Sequence, residues 1–171
     1  RFVGAGRLRC RACKRTRMNA EQDRRHAPAT LRNREPILEL LRAVLPASGL
    51  VLEVASGTGE HAVFVARHLP ALLWQPSDPS PEARASIDAW AAEEGLANVH
   101  APLDLDAEAG EWPIAHADAL VCINMIHISP WETTPALFAG AAQHLHADRG
   151  MVVLYGPYRE GGQHTAPSNE T

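Results

Sequence analysis

The sequence predicts an α/β fold, a doubly wound and mostly parallel sheet with helices on both of its faces. Short apolar runs without polar alternation recur along the chain, and most are followed by a segment of helical length. Uniformly apolar strands are typical of parallel sheets that are buried on both faces. Polar residues also collect at the carboxyl ends of the predicted strands, which is where such sheets bind ligands.

The first predicted helix begins at Pro36, because proline is favoured in the first helical turn. Apolar residues recur at helical spacing from there to position 45 and form one stripe. The next predicted element is a strand over 50–55, which is apolar except at Glu53. A second helix over 59–69 then ends before Pro70.

The middle of the chain repeats this alternation of strand and helix. A strand is predicted over 72–75, and the helix over 81–94 has proline at its first position and Gly95 after its last. The third predicted strand covers 99–105 and the fourth covers 119–123.

The last predicted helix covers 135–146, and the uniformly apolar residues 151–155 form the fifth strand. The 16 residues that follow Tyr155 contain no strand-like run. We therefore expect the sheet to lack C-terminal strands. An unpaired apolar edge invites pairing with another chain, so we also expect self-association through the fifth strand.

Length and composition indicate a globular protein. The chain has 171 residues, of which 46% are hydrophobic and 21% charged, as is usual for one soluble domain. No apolar run approaches the roughly 18 residues of a membrane span, so we expect no membrane partner. Residues 18–171 carry nine basic and 20 acidic side chains. This acidic balance argues against a nucleic-acid partner, for which a basic surface is expected.

The first 17 residues differ from the rest, since they contain seven Lys or Arg and no acid. They also show no helical or strand period. We interpret residues 1–25 as a basic arm without fixed structure, or as upstream sequence translated from an early start. Residues 26–171 then form the single domain.

The cysteines indicate a reducing compartment. Cys10 and Cys13 form a C-x-x-C pair, but no second pair accompanies them, so we predict no zinc site. Cys122 falls within an apolar strand and is expected to be a small core residue. Three cysteines without regular spacing favour a cytoplasmic protein. Mitochondrial targeting by the arginine-rich leader is the alternative.

A glycine-rich loop joins the first predicted strand to the second helix. Gly57 and Gly59 allow a sharp turn and a close approach to a ligand, and the helix that follows offers unpaired N–H groups. Glu53 beside this loop suits a ligand with hydroxyls or an amine. The dinucleotide pattern G-x-G-x-x-G is not completed, because position 62 is alanine, and this disfavours a nicotinamide dehydrogenase.

Acids follow the second and third predicted strands. Asp78 is placed to accept hydrogen bonds from the two ribose hydroxyls of an adenosine ligand. In the alternative it only caps the next helix. Asp106 is a second candidate ligand-binding acid, and Asp104, two residues earlier, would point the same way. The sequence leaves both choices open.

Asn124 and His127 follow the fourth predicted strand, and Tyr155 and Tyr158 follow the fifth. His127 is a candidate general base, because the pKa of imidazole lies near working pH. In the alternative His127 is a hydrogen-bonded core residue among its apolar neighbours.

The Glu53-x-x-x-Gly57-x-Gly59 arrangement resembles the first motif of class I S-adenosylmethionine-dependent methyltransferases, with Ala55 where that motif usually has its first glycine. Five blocks extend the resemblance: LRNREPIL, VASGTGEH, WQPSD, CINMIHISP and YGPY. Together they are similar to an uncharacterised methyltransferase-like family that includes methyltransferase-like protein 26, in which alanine at this position is ordinary. Members of that family continue beyond residue 171 through a helix and two strands.

This resemblance implies a Rossmann-like class I fold and S-adenosylmethionine as cofactor, and it gives Asp106 the place of the acid that meets the adenine amino group. We predict no metal site. We predict a methyltransferase that acts on an unidentified small molecule, with His127 as catalytic residue. A non-catalytic S-adenosylmethionine-binding or scaffold protein is the alternative. The predicted cofactor-binding residues are Arg32, Asn33, Glu53, Ala55, Ser56, Gly57, Gly59, Asp78, Asp106 and Asn124.

Overall fold

The computed structural model describes residues 23–164 of the chain. The basic leader over 1–17, with Cys10 and Cys13, therefore lies outside the described residues. The helices are α1 (Pro28–Val44), α2 (Glu60–His68), α3 (Pro81–Glu94) and α4 (Thr133–His144). The strands are β1 (Gly49–Val54), β2 (Leu72–Pro76), β3 (Ala119–Ile123), β4 (Met151–Tyr155), β5 (Arg159–Glu160) and β6 (Gln163–His164), and a 3₁₀ turn covers Met125–His127.

A parallel four-stranded sheet organises the molecule, with the strand order β2-β1-β3-β4. Two apolar cores cover its faces. One core holds the inward side chains of α1 and α2, such as Leu41 and Val65, against Trp74 and Val121. The other packs Leu137 of α4 against the opposite face. The predicted α/β fold with helices on both faces is confirmed.

Cys122 is buried in the second core, and burial raises the pKa of its thiol to about 12. It is the small core residue that its apolar surroundings predicted. Within residues 23–164, no helix combines the length and the apolar composition that a membrane span requires.

The first helix begins eight residues earlier than predicted. Its first turn contains Pro28, whereas Pro36 lies inside the helix. Pro28 offers the same start signal as Pro36. The residues between Pro28 and Pro36 are mostly polar, however, and the apolar stripe begins only at Ile37, so no helical period marks the first two turns. An internal proline lacks one helical hydrogen bond. Burial of Ile37 and Leu38 in the core compensates for this loss.

The third predicted strand is not a regular strand. Over 99–105 the chain makes only two isolated parallel bridges, from Val99 to Trp74 of β2 and from Leu103 to Ser77 just after β2. Pro102 lies between these bridges and has no N–H to donate, so the ladder cannot continue through it. The side chain of Gln75 donates to the carbonyl of Ala101 at 2.7 Å and bridges the interruption.

Two smaller differences lie in the last third of the chain. Helix α4 begins and ends two residues before the predicted bounds of 135–146. After Tyr155, where no strand was predicted, β5 and β6 form a short antiparallel hairpin. Gly161 and Gly162 join them, both with positive φ, as a tight hairpin turn requires.

Candidate functional site

The loop between β1 and α2 turns through three left-handed residues, Ala55, Gly57 and Gly59, whose φ angles are 57°, 56° and 85°. Glycine adopts this conformation at no steric cost, whereas a residue with a Cβ pays of order 1–3 kcal/mol. The structure thus gives the physical reason why the related motif usually has glycine at the position of Ala55. The loop requires a left-handed residue there.

The two glycines of the loop have different surroundings. A Cβ at Gly57 would meet nothing within 4 Å, so this part of the backbone faces open space. A Cβ at Gly59 would lie 2.8 Å from the Cα of Ile87, so Gly59 lets α3 pack closely on the loop. Gly57 is therefore the glycine that a ligand can approach.

Asp78 ties the end of β2 to this loop. One of its carboxylate oxygens accepts from the amide of Gly57 at 2.9 Å, and the other accepts from the amide of Ser80 at 2.9 Å. The N-cap of α3 is Ser80, whose hydroxyl accepts from the amide of Ala83 at 3.2 Å. The alternative in which Asp78 itself caps the helix is therefore wrong. Asp78 is only 9% exposed, and each of its carboxylate oxygens keeps a second lone pair.

A cavity of about 230 Å³ opens between the end of β1 and the loop that follows β3. Ala55, Pro79 and Asp106 line it together with residues of both neighbouring segments: Val54, Leu105, Ala107, Glu108, Met125, Ser129, Pro130 and Thr133. Most of the lining is apolar, and its carboxylates belong to Asp106 and Glu108.

The structure distinguishes the roles of Asp104 and Asp106, which the sequence alone left open. Asp106 lines the cavity. Asp104 instead forms two hydrogen bonds with the guanidinium of Arg84, at 2.9 and 3.0 Å, and is exposed. Of these two aspartates, Asp106 is the one placed to meet a ligand in the cavity.

Glu53 and Ser56 support the loop from beneath and do not line the cavity. The side chain of Glu53 is 1% exposed, and its carboxylate accepts from the indole N–H of Trp74 at 2.7 Å. Burial raises the pKa of Glu53 to about 7. The amide of Ser56 donates to the carbonyl of Ser77 at 2.8 Å, which joins the ends of β1 and β2.

Arg32 and Asn33 lie on α1, and neither lines the cavity. The amide oxygen of Asn33 is 2.9 Å from Nε2 of His61, in the first turn of α2. Burial lowers the pKa of His61 to about 4, so its imidazole is neutral near pH 7 and donates to Asn33. Asn33 thereby fixes α1 against the helix that follows the glycine loop, while Arg32 is exposed.

The segment just before α1 also contacts the loop, which the sequence did not indicate. The amide of Ala27 donates to Glu60, the first residue of α2, at 2.6 Å. The amide of Arg25 donates to the hydroxyl of Ser86, which itself donates to the carbonyl of Thr58 at 2.8 Å. The described chain is thus joined to the domain before the predicted boundary at residue 26. Polar contacts of this kind leave no periodic signal in a sequence.

The ends of β3 and β4 are joined beside the cavity. Asn124 has a φ of 64°, and its amide donates to the carbonyl of Tyr155 at 2.7 Å. His127 packs against Gly156, and its ring centroid lies 5.0 Å from that of Tyr158 at an angle of 63°. Since His127 is exposed, the alternative in which it is a core residue is wrong.

Solved structures with a similar fold include S-adenosylmethionine-dependent methyltransferases. SibL matches with a TM-score of 0.69 and 21% identity over 81% of this chain and 39% of SibL. CalO1, a methyltransferase in calicheamicin biosynthesis, matches with a TM-score of 0.62 and 25% identity over 77% of this chain and 38% of CalO1. A methyltransferase from Geobacter sulfurreducens matches with a TM-score of 0.55 and 24% identity over 75% of this chain and 47% of that protein.

The chain thus spans less than half the length of each of these structures. CalO1 and the Geobacter sulfurreducens protein were solved with S-adenosyl-L-homocysteine bound. The family described as "Protein of unknown function (DUF938)" matches residues 24–171, and the chain therefore belongs to that family.

Proposed function

We propose that this protein is an S-adenosylmethionine-dependent methyltransferase that acts on a small molecule. One observation carries the proposal. The cavity at the carboxyl ends of the strands lies between Ala55 of the glycine loop and Asp106, and Asp78 is bonded to that same loop. Ligands of doubly wound sheets bind at this edge.

The residues at the cavity fit an adenosine ligand. Val54, Leu105 and Met125 offer apolar walls for a planar base, and the carboxylate of Asp106 can accept from an exocyclic amine. The lone pairs of Asp78 that remain free suit ribose hydroxyls. Gly57 leaves open space for the rest of the molecule.

The comparisons support the same cofactor class. Two of the similar structures hold S-adenosyl-L-homocysteine, the form that remains after a methyl group is lost. The five sequence blocks that resemble the family of methyltransferase-like protein 26 also support it.

When bound, S-adenosylmethionine supplies a methyl group on a positively charged sulfur. The protein's part is chiefly to hold an acceptor in line with that group, which can account for several kcal/mol of a reaction barrier. An acceptor that carries a proton also needs a base. His127 serves as that base through Nδ1, since Nε2 packs against Gly156.

Calorimetry on the full chain tests the binding step. We expect S-adenosylmethionine and S-adenosyl-L-homocysteine to bind, and NAD to give no heat. Incubation with methyl-labelled S-adenosylmethionine and a metabolite extract then tests transfer. Tight binding of NAD without binding of either sulfur compound would contradict the proposal.

A non-catalytic S-adenosylmethionine-binding protein is the alternative. The exposure of His127 favours this alternative, because an exposed imidazole is hydrated and only partly held by packing.

The variant His127→Asn distinguishes the two functions. We expect unchanged cofactor affinity and transfer lowered about 100-fold or more, the usual effect of losing a general base. His68→Asn, an exposed histidine on α2, is the matched control. Full transfer activity in His127→Asn would remove the base role.

A further inference from the structure

The loop after β3 leaves two large apolar side chains in water beside the cavity. Ile128 is 86% exposed and Trp131 is 74% exposed, the highest values among large hydrophobic side chains in the described part of the chain. Between them, Ser129 and Pro130 line the cavity. The two exposed side chains therefore flank the cavity wall on the side of His127.

Backbone hydrogen bonds hold this loop in place. The carbonyl of Met125 accepts from the amides of Ile128 and Ser129, each at 3.0 Å. The carbonyl of Trp131 accepts from the amide of Thr134 at 3.0 Å, in the first turn of α4. These hydrogen bonds hold the backbone of the loop in one conformation, so its apolar side chains are positioned in advance, as a binding surface requires.

The negative charge at the cavity, where the adenosine would lie, disfavours an anionic acceptor beside it. The charged side chains that line it are Asp106 and Glu108, and no arginine or lysine is among the lining residues. Anionic groups are usually recognised by arginine or lysine. The neighbouring rings of His127 and Tyr158 instead suit a planar, uncharged molecule.

We propose that Ile128 and Trp131 form the apolar wall of the acceptor site, and that the acceptor is a neutral aromatic small molecule with a hydroxyl group. This rests on the proposed function. The hydroxyl oxygen bonds to the methyl carbon as the sulfur–carbon bond breaks. The sulfur keeps the electron pair of that bond, and the hydroxyl proton passes to His127.

Nuclear magnetic resonance of the tryptophan indole N–H groups tests the assignment on the full chain saturated with S-adenosyl-L-homocysteine. The signal of Trp131 is identified by its absence in Trp131→Phe. Naphthol is the probe, and its saturated analogue decahydronaphthol and its anionic analogue naphthoate are matched controls. We expect naphthol to shift the Trp131 signal at lower concentration than either control.

Variants locate the contact. In calorimetry, Trp131→Ala is expected to weaken naphthol binding by roughly 3- to 10-fold, the effect of losing an aromatic pair, and Ile128→Ser is expected to weaken it in the same direction. Phe138→Ala is the matched control, because this aromatic side chain on α4 is also exposed, at 47%, and lies outside the loop. Affinity for S-adenosyl-L-homocysteine should be the same in all of these variants.

Three results would overturn the proposal while leaving cofactor binding intact. These are an unshifted Trp131 signal, tighter binding of naphthoate than of naphthol, and a Trp131 signal that moves with protein concentration alone. The last would assign the loop to contact between copies of the chain. Failure of the wild-type chain to bind S-adenosyl-L-homocysteine would instead overturn the proposed function, and the acceptor assignment with it.

Discussion

Ala55 holds a left-handed backbone conformation next to the cavity, with a φ of 57°. We expect Ala55→Gly to raise the free energy of unfolding by up to about 1 kcal/mol. Glycine relieves the strain energy of the left-handed conformation. This gain exceeds the free-energy cost of the extra conformational entropy that glycine gives the unfolded chain. Denaturant unfolding measures this change. Ala55→Val, with a branched Cβ in the same conformation, should be less stable than wild type. An Ala55→Gly variant that is no more stable than wild type would show that the loop stores no strain there.

Asp78 is expected to serve both the loop and the ligand. Asp78→Ala leaves the amides of Gly57 and Ser80 without their acceptor, so we expect a loss of about 1–3 kcal/mol in stability. The affinity for S-adenosylmethionine should also fall at least tenfold, since hydrogen bonds to a charged group contribute about 1.5–3 kcal/mol. Asp104→Ala is the matched control, because Asp104 pairs with Arg84 away from the cavity. Unchanged cofactor affinity in Asp78→Ala, measured by calorimetry, would limit Asp78 to a structural role.

At the scale of elements, β4 forms one edge of the described sheet. The amide of Met151 donates to Asp118, and the carbonyl of Tyr155 accepts from Asn124, so these two residues face β3. Strand alternation then turns the amides of Val152 and Leu154 toward the outer edge. We propose that two copies of the chain pair along this edge.

Two proline variants test this pairing by light scattering. Val152→Pro removes an outward amide, so we expect less self-association with the β3–β4 ladder preserved. Val153→Pro removes an amide that faces β3 and should lower the stability of the fold itself. If the wild-type chain is monomeric at all concentrations, the edge does not pair.

Glu53, which is buried, and His61, which is partly buried, give the whole molecule opposing pH dependences. The pKa of Glu53 is raised from 4.5 to about 7, so the native state holds this proton more tightly than the unfolded chain. Its contribution to stability is complete below pH 4.5 and is lost as the pH rises to 7. The pKa of His61 is lowered from 6.5 to about 4, so its contribution is complete above pH 6.5 and is lost as the pH falls to 4.

These two effects cancel in the wild type between about pH 4.5 and 6.5. Relative to wild type, we expect Glu53→Gln to gain stability as the pH rises through this range, by up to about 3 kcal/mol. His61→Asn should lose stability relative to wild type over the same range. Denaturant titrations at several pH values measure both differences. Parallel profiles for wild type and Glu53→Gln would show that Glu53 has an ordinary pKa in the native state.

The sequence by itself determined the alternation of strands and helices, the parallel sheet and the position of the glycine loop. These follow from local patterns: uniform apolar runs predict buried strands, and Gly57 and Gly59 predict a sharp turn. Ala55 was already identified from its place in the loop, although its left-handed backbone was not.

Only the tertiary structure decided which polar residues serve the site. Asp104 and Asp106 are equivalent in the sequence, but Arg84 on α3 pairs with one and leaves the other at the cavity. Glu53 and His61 likewise owe their shifted pKa values to burial by distant elements. These properties depend on contacts between residues far apart along the chain, and a local pattern of residue types does not encode such contacts.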